Sequence, residues 1–132
     1  MAQSIAELRR DKSSADLSGP GLRAFFGLAR EWSLSESEQM RLLGLTSRST
    51  LQSWRAGRVS KLSRDTIERI SYLLGIFKAV NILLPDPARA DRWMRTPNKA
   101  PLFGGRSALD RMTSGNVSDL YVVRRYLDAQ RG

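Results

Sequence analysis

Ser35-Glu36-Ser37-Glu38-Gln39-Met40-Arg41-Leu42-Leu43-Gly44-Leu45-Thr46-Ser47-Arg48-Ser49-Thr50-Leu51-Gln52-Ser53-Trp54-Arg55-Ala56-Gly57 reads as two short helices joined by a glycine-centred turn. Ser35 and Glu38 form a capping box, in which two side chains satisfy backbone N–H groups left open at a helix start. Met40 and Leu43, three apart, face a core. Gly44 takes the left-handed conformation that ends the helix, while Leu45 packs back. Thr46 or Ser47 caps the second helix, whose inward side is marked by Leu51 and Trp54. Arg48, Ser49, Gln52 and Arg55 fall largely on the opposite side. This is the outline of a helix-turn-helix with the second helix as the reader.

The outward residues carry the groups that base edges and phosphates require. Arginine forks to guanine, glutamine pairs with adenine, and serine or threonine hydroxyls reach bases or phosphates. The candidate DNA-contacting set is therefore Arg48, Ser49, Thr50, Gln52, Ser53 and Arg55, continued by Arg58 and Lys61 in the following loop. A two-helix corner with a glycine is also ordinary all-α architecture, and charge helps to separate the two readings. Between Gln39 and Arg64 there are six basic residues (Arg41, Arg48, Arg55, Arg58, Lys61 and Arg64) and no acidic one. The whole 132-residue chain carries a net charge of +9, which favours a polyanion partner over a merely solvated basic surface.

Other function classes recede on composition. The chain has neither cysteine nor histidine, so disulfides, the usual zinc and haem ligand sets and a histidine-based triad are not expected. Glu36, Glu38 and Asp65 are faint candidates for a metal-dependent nuclease, but capping and the helix dipole account for carboxylates at helix starts. The expectation is no catalytic residue, no metal and no cofactor. No apolar run approaches the roughly eighteen residues of a membrane span, and Met1 to Lys12 is polar and mixed in charge, unlike a signal peptide. A cytoplasmic protein without a membrane partner is expected. Its hydrophobic content of 41% suffices for a packed core.

Periodicity and punctuation organise the rest into an all-α chain. An N-terminal arm covers 1–21; Ile5 and Leu8 make one helical turn there, and Gly19-Pro20-Gly21 interrupts any longer element. Leu22, Phe25, Phe26, Ala29 and Trp32 predict an amphipathic helix ahead of the motif. Ser63 caps a long helix from Arg64 to about Leu84, with Ile67, Ile70, Leu73, Leu74, Phe77, Val80 and Leu84 at helical spacing. Tyr72, Ile76 and Ile82 widen that stripe, so this helix is expected both in the core and against a second subunit, completing a DNA-binding and dimerisation domain over 22–84. Prolines 85, 87, 97 and 101 and Gly104-Gly105 break 85–132 into shorter pieces. Helices are predicted there over Ala88–Met94, Ser107–Met112 and Ser118–Gln130. Nine basic and four acidic residues lie between Arg89 and Arg131, and Gly104-Gly105-Arg106 is too short for a Walker-type phosphate loop.

Trp93-Met94-Arg95-Thr96-Pro97-Asn98, then Leu102-Phe103-Gly104-Gly105-Arg106-Ser107-Ala108-Leu109-Asp110-Arg111-Met112, then Gly115 and a closing helix with Tyr126-Leu127 resembles the Xre/MbcA/ParS antitoxin family. Its C-terminal domain carries a tryptophan, a Pro-Asn pair, a glycine before a Leu-Asp step and a last helix running almost to the chain end. Ala108 stands where the family often has proline, and the turn from Gly44 to Trp54 is one residue longer than usual. The resemblance implies a small helical toxin-binding domain over 85–132 in a type II antitoxin. It further implies a cognate toxin, commonly a RES-domain protein that degrades NAD, and repression of the shared operon through operator DNA. Asn98, Phe103, Arg106, Asp110, Arg124, Arg125 and Arg131 are the expected toxin contacts, the last three as competitors for a dinucleotide's phosphate site. A homodimer or higher oligomer follows from two-fold operator recognition, with reader helices about 34 Å apart. The alternative is a stand-alone dimeric transcription regulator without a toxin partner.

Overall fold

A computed structural model describes residues 14–132, with side chains from residue 19 onward. The reading of Ile5 and Leu8 as a helical turn lies outside the described residues. Within them the chain is all-helical: α1 (Ser14–Glu31), α2 (Glu36–Leu43), α3 (Arg48–Arg55), α4 (Arg64–Leu83), α5 (Pro87–Arg95), α6 (Ala108–Met112) and α7 (Val117–Arg131).

Local signals set most of these boundaries. The Ser35–Glu38 capping box forms in both directions: the Glu38 N–H donates to Ser35 Oγ at 3.1 Å and the Ser35 N–H to Glu38 Oε1 at 2.8 Å. Gly44 ends α2 at φ 73°, and the Leu45 N–H reaches back to the Met40 carbonyl at 2.8 Å. This is the six-to-one bond of a Schellman stop, which a β-carbon would strain. Ser47, rather than Thr46, caps α3, and Ser63 caps α4. Pro87 stands in the first turn of α5, where its missing N–H leaves no helical bond unmade, and Asp86 caps it. A second capping box, Ser107 with Asp110, starts α6.

The first helix corrects the sequence reading. It continues through Gly19-Pro20-Gly21, where a break was expected, and begins at Ser14. A proline removes one backbone bond and costs helix stability. Here its ring is exposed, while the neighbouring Gly21 lies against Ile70 of α4 and Leu22, Phe25 and Leu28 are buried beyond it. Packing on α4 therefore overrides the local breaker.

α4 is the axis of the molecule, packing chiefly on α7 and α1. Its buried residues Ile70, Leu73, Ile76, Ala79 and Val80 belong to one hydrophobic cluster running from Leu22 to Leu127. Ile67, Leu74 and Phe77 are only half-buried, and Ile82 is 48% exposed. Trp32 closes the core beneath α1, with its ring 5.8 Å from that of Phe77.

Long arginines fasten the helix-turn-helix to the later helices. Arg69, almost fully buried on α4, donates to Asp65 at 2.8 Å, to the Arg41 carbonyl at 3.3 Å and to the Gly115 carbonyl at 2.9 Å. It thereby bonds the last turn of α2 and the loop before α7 from one guanidinium. Arg95 at the end of α5 donates to both Glu38 oxygens, at 3.1 and 3.0 Å, and to the Trp32 and Ser33 carbonyls at 3.2 and 2.9 Å. These hydrogen bonds hold the Glu38 carboxyl below the ordinary glutamate range, against the opposing effect of its burial.

Candidate nucleic-acid interface and partner-binding loop

α2 and α3 pack at the corner made by Gly44–Ser47, and fully buried Leu51 anchors α3 to the core. Trp54, expected on the inward side, is half-buried. Arg48, Ser49, Gln52 and Arg55 are exposed, and Thr50 and Ser53 are half-buried on the flanks. Gly57 at φ 86° stops α3, after which the exposed Arg58 and Lys61 line a loop tethered by buried Leu62. The structure thus brings the expected DNA-contacting residues together on one helix and the loop that leaves it.

The positive block is less open than the sequence suggests. Glu36, the first residue of α2, pairs with Arg48 at 2.6 Å and with Arg55 at 3.5 Å. Arg55 also donates to Gln39 Oε1 at 3.3 Å and lies 5.9 Å over the ring of Phe26. The acidic partner sits just before the stretch counted as free of acid, so a count along the chain missed it. Its position on the turn above α3 was the available signal.

The second surface is the loop from Pro97 to Arg106. Asn98 organises it: its Oδ1 accepts from the Ala100 N–H at 2.9 Å, its own N–H donates to the Arg106 carbonyl at 3.0 Å, and its carbonyl accepts from Gly105 at 3.1 Å. Arg111 braces the loop from α6, donating to the Leu102 carbonyl at 2.7 Å and to Asp119 at 2.6 Å. Burial works to raise the Asp119 carboxyl, but hydrogen bonds from Ser114 and Arg111 hold it below the ordinary aspartate range. A loop closed on itself and braced from behind presents a fixed shape, as a binding surface requires.

The expected toxin contacts divide on inspection. Arg106, Asp110, Arg125 and Arg131 are exposed, and Asn98 is half-buried in its turn. Asp110 serves the α6 capping box, Arg125 donates to Tyr121 Oη at 2.9 Å, and Arg131 pairs with Asp128 at 3.7 Å. Arg124 is half-buried across α4, donating to the Ser71 carbonyl at 3.4 Å. Phe103 requires correction: at 4% exposure it is core, with Trp93 and Tyr126 edge-on at 6.0 and 5.2 Å. The apolar ring is worth more there than on the loop's surface, because burial removes it from water. Sequence reasoning passed over Arg69, Arg95 and Arg111, whose partners are remote in the chain or backbone carbonyls that no motif marks.

Among the described residues no group of carboxylates could hold a metal ion, and no helix is long and apolar enough to cross a membrane.

The geometry defines a helix-turn-helix protein whose reader helix is carried on a body completed by a C-terminal helical unit. Residues 11–75 match the antitoxin Xre-like helix-turn-helix domain, and residues 79–132 match the antitoxin Xre/MbcA/ParS C-terminal toxin-binding domain. The chain is also 51% identical over 112 residues to the uncharacterized protein y4oB of Sinorhizobium fredii, with 84% of each chain covered. It belongs to the Xre/MbcA/ParS antitoxin family, a DNA-binding family of helix-turn-helix regulators and not an enzymatic one.

Proposed function

We propose that this antitoxin binds and neutralises a cognate toxin, of the NAD-degrading RES type, and represses its own operon by binding operator DNA. The proposal assigns DNA binding and dimerisation to 22–84 and toxin binding to 85–132. The observation that carries it is the pairing, on one hydrophobic core, of an exposed polar helix α3 with a braced C-terminal loop. Arg48, Ser49, Gln52 and Arg55, flanked by Thr50 and Ser53, meet the bases, and Arg58 and Lys61 meet the phosphates. Asn98, Arg106, Asp110, Arg125 and Arg131 meet the toxin, with Arg124 beside them on α7. A two-fold dimer on a palindromic operator is the arrangement that places two such helices in successive major grooves. The RES assignment is supported by family resemblance, and the basic α7 suits a toxin that binds a dinucleotide's phosphates.

The test is co-expression with the product of the adjacent reading frame, scoring growth rescue and co-purification. Truncation after Leu84 is a poor comparison, because α7 covers the buried face of α4. A full-length chain carrying Arg106→Glu and Arg131→Glu keeps the core and alters only exposed charges. Rescue and a stable complex with the native chain, both lost in the variant, are expected. A neighbour that is neither toxic nor bound would overturn the toxin assignment and leave a stand-alone regulator.

A further inference from the structure

Arg48 and Arg55 are seven residues apart on α3, about two helical turns, so they stand one above the other on the same edge. Glu36 reaches both from the first residue of α2, Oε1 lying 2.6 Å from Arg48 Nη2 and Oε2 3.5 Å from Arg55 Nη1. The two arginines are not held alike. Arg55 is fixed from three sides: by Glu36, by the face of Phe26 and by Gln39, which is itself buried and bonded to the Leu34 carbonyl at 3.0 Å. Arg48, with a side chain 69% exposed, has Glu36 as its only ion-pair partner among the described residues.

We infer that Glu36 is a specificity-determining positioning residue of the DNA interface: its carboxylate holds Arg48 toward base edges and repels the sugar-phosphate backbone. The inference rests on the DNA-binding reading of α2 and α3. A free arginine on a flexible stem takes the nearest phosphate, which every sequence offers. The single Nη2 contact to Glu36 keeps the Arg48 guanidinium beside the carboxylate and leaves its other N–H donors free to fork to guanine. The carboxylate meanwhile opposes each nearby phosphate by simple Coulomb repulsion, while the neutral acceptors of a base edge feel that opposition less. Glu36 therefore lowers affinity for any duplex and sharpens the choice among them.

The test compares the native chain with Glu36→Gln and with Glu68→Gln. The second variant makes the same change in net charge on α4, outside the helix pair, where Glu68 accepts only from Tyr72 among the described residues. Each is titrated with random-sequence duplex DNA across a salt series, then used to select from a randomised duplex library. Glu36→Gln is expected to bind random duplex about 3- to 10-fold tighter near 0.1 M salt, with a salt slope steeper by about one. Its selected motif should lose base preference at one position of each half-site, while Glu68→Gln stays close to native throughout. Identical affinity, slope and motif for the two variants would overturn the inference. So would weaker binding by Glu36→Gln to all duplexes together with a lowered melting temperature, since that marks a folding role. A native chain that binds no duplex at any salt would instead sink the DNA-binding reading itself, and the inference with it.

Discussion

Arg124 of α7 lies across Gly75 of α4 so closely that a β-carbon at residue 75 would stand 2.2 Å from its Cζ. The glycine is thus the seat of a guanidinium rather than a backbone hinge. The obstructing atoms are the far end of a flexible side chain whose other bonds are long, 3.4 Å to Ser71 and 3.5 Å to Asp128. Gly75→Ala should therefore be tolerated. Displacing Arg124 forfeits a weak pairing of at most about 1 kcal/mol, and alanine returns about 1 kcal/mol of helix propensity. A change in unfolding free energy within about 1 kcal/mol is expected in denaturant melts. A loss above about 2 kcal/mol would show that the α7 backbone, and not the side chain, limits the approach.

Phe103→Ala should cost about 3–5 kcal/mol, because its ring fills the space between Trp93 and Tyr126 and the cavity left cannot collapse onto a braced loop. Phe103→Leu should cost less. A variant folded as stably as the native chain by thermal melting, yet blind to its toxin, would return Phe103 to the binding surface.

The bridge from Arg95 to Glu38 gives stability a dependence on acid. With its folded pKa lowered, Glu38 binds its proton less readily in the folded protein than in the unfolded chain. The stabilisation is thus complete above the unfolded value, about 4.3, and is lost as pH falls through the lower folded value. Glu38→Gln keeps a residue able to complete the capping box and should be about 1 kcal/mol less stable at neutral pH, a figure already discounted for the partial exposure of Arg95. The gap between variant and native chain should close as the pH drops below about 4. An undiminished gap in strong acid would remove the carboxylate from the account.

Arg58 and Lys61 pair with no carboxylate among the described residues. Replacing either by alanine should weaken binding to all duplexes alike and reduce the salt slope by about one for each phosphate no longer neutralised. A slope equal to the native one would place that residue outside the interface. Leu51→Ala should act through the fold, at about 2–5 kcal/mol, since this side chain is wholly buried.

Much of this was legible where the chemistry is local. Ser35 with Glu38, Gly44 and Ser63 write helix ends into a few neighbouring residues, and the spacing of Ile70, Leu73 and Val80 announces the buried face of α4. What escaped depends on partners brought near only by folding. Pro20 reads as a break until Gly21 is seen against Ile70. Glu36 reads as a helix-start charge until α3 turns back beneath it. Arg69 and Arg95 resemble any surface arginine, yet they bond carbonyls 46 and 63 positions away. Phe103 sits in a proline- and glycine-rich stretch that carries no periodicity to mark it as core.

The position of α4, shared between the helix-turn-helix and the C-terminal unit, has a consequence for inheritance and turnover. A frameshift or protease cut that removes α7 strips α4 of the helix it packs on most extensively and takes buried Leu120, Val123 and Leu127 out of the shared core. On the proposed assignment, DNA binding and toxin binding would be forfeited together in a single event.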